Sequence, residues 1–152
     1  MNKGASPPET LAGFREATME LDNVYSAFPK ACGLSDAEYW SLLMVYEGAA
    51  TQSQISGQLF LSRQTLNSAF KQLRKKGLIR LEPFEENQRS KRAFLTEAGK
   101  LFVEKYVIQM HRVEEEAWRR LDEEERIKLT SLTRKFSGLV RRELKASKFN
   151  IH

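Results

Sequence analysis

The chain has 152 residues, 41% apolar and 30% charged, with a net charge of +5 and one cysteine. That size bounds it to one domain, or a small domain with a helical extension, and the composition excludes a disordered chain. No run of about 18 apolar residues is available to span a bilayer, residues 1–10 (MNKGASPPET) lack the apolar centre of a secretory signal, and Cys32 alone cannot staple the fold, so the expected compartment is the reducing cytoplasm.

Helix starts are well marked along the chain. Ser6-Pro7-Pro8-Glu9 combines an N-cap, a proline at the first helical position and a capping-box acid. Leu11, Phe14, Leu21, Val24 and Phe28 then form an apolar stripe on a helix that Pro29 is expected to stop. Ser35-Asp36-Ala37-Glu38 is a second capping box, opening a helix through Tyr39, Leu42, Leu43, Val45 and Tyr46 as far as Gly48. Thr51-Gln52-Ser53-Gln54 opens a short helix with Ile55 and Leu59 inward. Ser62 caps a fourth helix, whose Leu66, Ala69, Phe70 and Leu73 keep a period near 3.6, and Gly77 ends it.

Beyond Gly77 the period falls to two. Ile79 and Leu81 alternate, as do Ala93 and Leu95, around the polar run Glu85 to Ser90, which predicts a β-hairpin with a long polar tip. Thr96-Glu97 starts a long helix with Leu101, Val103, Val107, Met110, Val113, Ala117 and Leu121 inward. Asp122-Glu123-Glu124-Glu125 caps a last helix bearing Ile127, Leu129, Leu132, Phe136, Leu139, Val140 and Leu144.

Two short helices joined by a tight turn and followed by a hairpin give the order of a winged helix-turn-helix: a mainly α fold with a small β-hairpin wing. The charge pattern fits it. Residues 63–92 hold nine Lys/Arg against three Asp/Glu, a balance of +6, whereas residues 1–62 hold three against seven, or −4. Such a basic field attracts a polyanion, although charge alone equally fits a solvated face. On the Ser62 helix, Arg63, Gln64, Thr65, Asn67, Ser68 and Lys71 face away from the apolar stripe. Arg and Lys bond guanine edges, Gln and Asn adenine edges, and Thr takes a thymine methyl. The first two turns of a recognition helix enter the major groove, which makes Arg63, Gln64, Asn67 and Ser68 the candidate base readers and sets Thr65 and Lys71 nearer phosphates. Arg74, Lys75 and Lys76 either extend that field or offset the helix carbonyls. In the wing, Glu82, Glu85 and Glu86 repel DNA, Arg89 is placed for the minor groove, and Lys91 and Arg92 for the backbone.

Five short segments carry a family likeness. Leu34-Ser35, Thr51-Gln52-Ser53-Gln54-Ile55, Leu61-Ser62-Arg63-Gln64-Thr65, Leu73-Arg74-Lys75-Lys76-Gly77-Leu78-Ile79 and Leu95-Thr96-Glu97-Ala98-Gly99, in that order and spacing, resemble the MarR-type winged-helix repressors. One departure is visible: the family's wing carries an Asp two residues before its Arg, where this chain has Asn87 before Arg89. The resemblance implies a DNA-binding domain over residues 34–99 and a homodimer built from helical segments at 6–30 and 100–148. The broad apolar stripes of those segments independently support it, the alternative being that they pack on their own head. A two-fold dimer sets its recognition helices about 34 Å apart, on an inverted repeat of double-stranded DNA.

The resemblance further implies release of DNA by a small aromatic or anionic effector. Phe14, Tyr39, Trp40 and Tyr46 are candidates for its pocket, though aromatics at helical spacing more often form core. Cys32 stands either as a redox trigger or as an inert thiol, with Lys30 the one cation near it in sequence. His111 and His152 are the two histidines and have no metal-ligand spacing. No phosphate loop, nucleophile motif or cofactor signature is present, so no enzymatic activity and no cofactor are expected. The rival readings are a protein-interaction winged helix with little DNA affinity, and a single-strand or RNA binder, for which Phe84 and Phe94 make too few stacking surfaces.

Overall fold

The computed structural model describes residues 4–48, 51–84 and 87–147, and of residues 84 and 87–90 the backbone alone. Along the chain run α1 (Leu11–Tyr25), α2 (Ala27–Cys32), α3 (Asp36–Tyr46), α4 (Gln52–Leu59) and α5 (Arg63–Lys75). An antiparallel pair follows, β1 (Ile79–Phe84) with β2 (Asn87–Leu95), and then α6 (Glu97–Phe102), a π-helical turn (Val103–Val107), α7 (Ile108–Arg119) and α8 (Glu123–Ala146). The chain forms two compact units, Met1–Met110 and His111–His152.

The caps explain most helix starts. Ser35, Thr51, Ser62, Thr96 and Asp122 each sit in extended conformation and accept a hydrogen bond from the amide three residues on. Thr51 with Gln54 and Asp122 with Glu125 complete reciprocal boxes. The expected cap at Ser6 does not form. Its hydroxyl and amide both donate to the Glu16 carboxylate, at 2.6 and 2.9 Å, and Thr10 caps α1 instead. Pro29 does not stop the first helix either. α1 ends at Tyr25, and Pro29 is buried in the first turn of α2, where an amide has no intrahelical acceptor to lose.

The first unit holds the core. Leu42, Leu43 and Tyr39 of α3 meet Ile55 of α4, Leu66, Phe70 and Leu73 of α5, Ile79 and Ala93 of the strands, and Val103 and Val107 of the π turn. The strand register pairs Ile79 with Leu95 and Leu81 with Ala93. A further bridge joins Thr51 to Arg92, tying the start of α4 to the base of the wing. In place of the expected unbroken helix after Thr96, the Ile108 amide reaches back five residues to the Val103 carbonyl. Gly99, Val103 and Val107 face inward, which turns Leu101 out to 66% exposure against the sequence expectation.

In the second unit, Asp122 starts α8, and the Arg126 guanidinium donates to the Trp118 and Arg119 carbonyls at 3.1 and 2.9 Å. The apolar stripe of α8 stays exposed: Ile127, Leu132 and Phe136 keep 60, 59 and 40% of their surface in water.

Two substitutions test this account. A methyl group at Gly99 would lie 1.9 Å from the Leu78 carbonyl oxygen, so Gly99→Ala is expected to lose about 1–3 kcal/mol and several degrees of thermal midpoint. Ser41 is fully buried and its hydroxyl has no hydrogen-bond partner among the described residues. Ser41→Ala is therefore expected to hold or raise stability in urea unfolding, by up to about 1 kcal/mol, and a clear loss would reveal a hidden partner.

Candidate nucleic-acid interface

α5 is anchored by one face and free on the other. Leu66, Ala69, Phe70 and Leu73 are buried, and each large one contributes about 1.5–3 kcal/mol of burial to hold the helix in place. Arg63, Gln64, Thr65, Asn67, Ser68 and Lys71 are all exposed. The first turn is fixed by the Ser62 hydroxyl, which accepts from the Thr65 amide at 3.1 Å and lies 2.8 Å from the Thr65 hydroxyl.

The six side chains divide around the helix. Arg63 and Asn67 line an open groove of about 580 Å³, whose opposite wall is Gln52, Ser53 and Ser56 of α4 and whose end is Lys91 of β2. Gln64, Thr65 and Ser68 lie on the other side, beside Ser35 and Asp36 at the start of α3. Lys71 is exposed one turn beyond Asn67. Gln52 and Ser53 were missed from sequence. The capping box at Thr51 was their signal, because it puts both in the first turn of α4, where backbone amides lack intrahelical acceptors.

The wing separates residues that are adjacent in sequence. Lys91, on the strand face shared with Ala93 and Leu95, reaches the α4–α5 groove. Arg92 is on the other face, with its guanidinium 5.8 Å from the centre of the Phe94 ring, and Arg80 approaches the same ring at 5.1 Å. Arg89 lies on β2, but its side chain is outside the described residues, as are Glu85 and Glu86.

The basic excess is only partly free. Lys76 donates to the carboxylate of Glu38, a buried residue on α3, so it is committed within the protomer. Arg80 pairs with Glu82 at 2.8 Å and donates to the Leu95 carbonyl at 3.1 Å. Arg74 and Lys75 are exposed at the α5 carboxyl end.

The four aromatic candidates for an effector pocket do not converge. Tyr39 is core, at 1% exposure, and packs edge-on against Trp40 at 4.9 Å. Trp40 also meets Tyr25 at 6.0 Å. Phe14 is exposed on α1. Tyr46 lines a separate cavity of about 490 Å³ with Arg80, Arg92, Phe94, Lys100 and Glu104. Cys32 is half-buried against the core, and burial pushes its thiol above the ordinary range, which disfavours the reactive thiolate. His111 lies 3.6 Å from both Glu114 and Glu115 on its own helix, and His152 is outside the described residues.

Residues 33–90 match the model of the MarR family. No curated protein matches the sequence. Among solved structures, a MarR family regulator from Neisseria meningitidis shares the fold at TM-score 0.71 and 18% identity, covering 89% of this chain and 98% of that one. BpsR of Bordetella bronchiseptica, whose DNA binding is regulated by 6-hydroxynicotinic acid, aligns at TM-score 0.68 and 18% identity over 87% and 96% of the two chains. The S. aureus MepR–DNA complex aligns at TM-score 0.66 and 23% identity over 83% and 94%. Residues 33–90 thus resemble the MarR family, and most of the chain shares the winged helix-turn-helix fold of these solved structures.

Proposed function

We propose that the protein is a homodimeric, sequence-specific binder of double-stranded DNA that represses transcription from an inverted repeat and is released by a small aromatic or anionic effector. The observation that carries the reading is the exposed flank of α5, where Arg63 and Asn67 share one groove with Lys91 of the wing while Gln64 and Ser68 lie on the adjoining side. Arg63 supplies bidentate donors for guanine, Asn67 and Gln64 suit adenine, and Lys91 is a point charge for phosphate.

The dimer part of the proposal rests on unburied apolar surface. Leu11, Leu21 and Val24 of α1 are each more than half exposed, as are Leu129 and Leu132 of α8. Stripes of that width on a helix are stable when a second apolar face covers them. Residues 6–30 and 100–148 are accordingly proposed as the dimerisation region, and 34–99 as the DNA-binding domain. The effector part is supported by BpsR, whose DNA binding responds to an aromatic acid. In this chain the Tyr46 cavity sets Arg80, Arg92, Lys100 and the Phe94 ring beside Glu97 and Glu104, and an aromatic carboxylate there would compete with the acidic partners of Arg80 and Lys100.

Three measurements test the proposal. Affinity for random duplex DNA should fall steeply as salt rises; a flat response would favour a protein-interaction module. Asn67→Ala and Gln64→Ala should each relax base preference at one position per half-site, by about 1–3 kcal/mol, whereas Lys91→Ala and Arg89→Ala should weaken binding to all duplexes and shallow the salt slope. A charge placed in the α8 stripe by Leu132→Glu should convert a two-chain species to one chain in sedimentation, and wild-type protein that sediments as a single chain would rule out the dimer.

A further inference from the structure

The turn between α4 and α5 contains a residue that its own chain disfavours twice. Phe60 has φ 54° and ψ 34°, the one non-glycine residue with positive φ among the described residues. That left-handed conformation brings the β-carbon of a bulky residue against its own carbonyl, and glycine or asparagine would adopt it with less strain. The ring gains nothing in return within the protomer, since Phe60 is 88% exposed.

The conformation is nonetheless held from both sides. The amides of Phe60 and Leu61 both donate to the Ser56 carbonyl, and the Ser56 hydroxyl donates to the Leu61 carbonyl at 2.7 Å. Ser56 also lines the groove that Arg63, Asn67 and Lys91 share. A strained, solvent-exposed aromatic is therefore fixed on the turn that leads, two residues later, into the cap of the recognition helix. Backbone strain that the surroundings over-determine concentrates at sites of ligand contact.

We propose that Phe60 is a specificity-determining DNA contact, its ring packing on a thymine methyl at the edge of the site that α5 reads. The inference rests on the reading of α5 as the recognition helix. The chemistry is that of an apolar surface beside polar readers: Arg63, Gln64 and Asn67 recognise donors and acceptors, and a phenyl ring recognises the methyl group that distinguishes thymine in the major groove. Such a contact neutralises no phosphate, so it contributes to sequence preference and not to the salt dependence of binding.

The experiment uses a duplex selected by the wild-type protein from a randomised library, and compares wild type with Phe60→Gly and Phe60→Asn. Both variants relieve the strained conformation, so each should melt at the wild-type temperature or above it. Each should bind the selected duplex about fivefold or more weakly, with an unchanged salt slope. Replacing thymines by uracil one at a time should reveal one position per half-site where loss of the methyl weakens the wild type and leaves the Phe60 variants unaffected. Variants that bind as tightly as wild type, or a uracil scan in which no position distinguishes them, would overturn the role of Phe60. A wild-type protein that selects no duplex at all would instead bring down the reading of α5, and this inference with it.

Discussion

The position of the wing relative to α5 depends on the backbone of two residues, Gly77 and Leu78. Gly77 leaves α5 in the left-handed conformation at φ 73°, and the Leu78 amide donates back to the Leu73 carbonyl at 3.0 Å. From the other end of the hairpin, the Thr96 amide donates to the Leu78 carbonyl at 3.1 Å and the Thr96 hydroxyl donates to the Gly77 carbonyl. The same hydroxyl oxygen accepts from the Gly99 amide at 2.9 Å to cap α6. The end of α5, the base of both strands and the start of α6 thus meet through hydrogen bonds among a handful of backbone groups and the Thr96 hydroxyl. Main-chain bonds are less tolerant of slippage than side-chain packing, because each has one donor, one acceptor and a narrow angle. Lys91 consequently reaches the groove of Arg63 and Asn67 by register. The Thr51–Arg92 bridge gives α4 the same fixed relation to β2.

The parts of this arrangement that were legible in the sequence are those set by short-range chemistry. Five N-caps stand where Ser, Thr or Asp precede a periodic apolar run, since a cap needs only its own side chain and the amide three residues on. The same reasoning failed at Ser6 because Glu16, ten residues away, competes for its hydroxyl and amide. It failed at Pro29 because the prohibition on proline applies to helix interiors, and nothing local announces that a new helix begins at Ala27. The π turn at Val103–Val107 leaves no mark in composition, so the inward assignment of Leu101 followed a 3.6 period that the backbone does not keep. Within the site, the flank of α5 followed directly from period. The division between Lys91 and Arg92 required the strand register, although simple alternation already forbade placing both on one face.

Local net charge overstates the electrostatic footprint. The pair of Arg80 and Glu82 is about half exposed on both sides, and such pairs contribute about 0–1 kcal/mol, so a nearby phosphate can replace the carboxylate. Glu38 is different: its side chain keeps only 9% of its surface in solvent, and removing Lys76 would leave that carboxylate buried without a counter-charge. Lys76 therefore belongs to the framework that joins the start of α3 to the end of α5. Among the described residues, the charge available beside the groove reduces to Arg63, Lys71 and Lys91, with Arg74 and Lys75 farther along the helix.

That modest number bears on why pairing of chains matters to the proposed function. A single head with a few cations beside the groove and a few polar base readers has the contact inventory of one small module, and one such module binds weakly at physiological salt. In the proposed dimer, joining two heads through α1 and α8 would make the second half-site contact intramolecular, at an effective concentration set by the rigidity of the connection. The gain multiplies the affinity of one head by far more than any single side chain on α5 contributes. On this reading the apolar residues of α8, which touch no DNA, set the strength of binding, while the flank of α5 and the ring of Phe60 set its address. An effector that alters the spacing of the two heads then has no need to reach the groove itself, because a small misfit between two half-sites removes the intramolecular advantage at once.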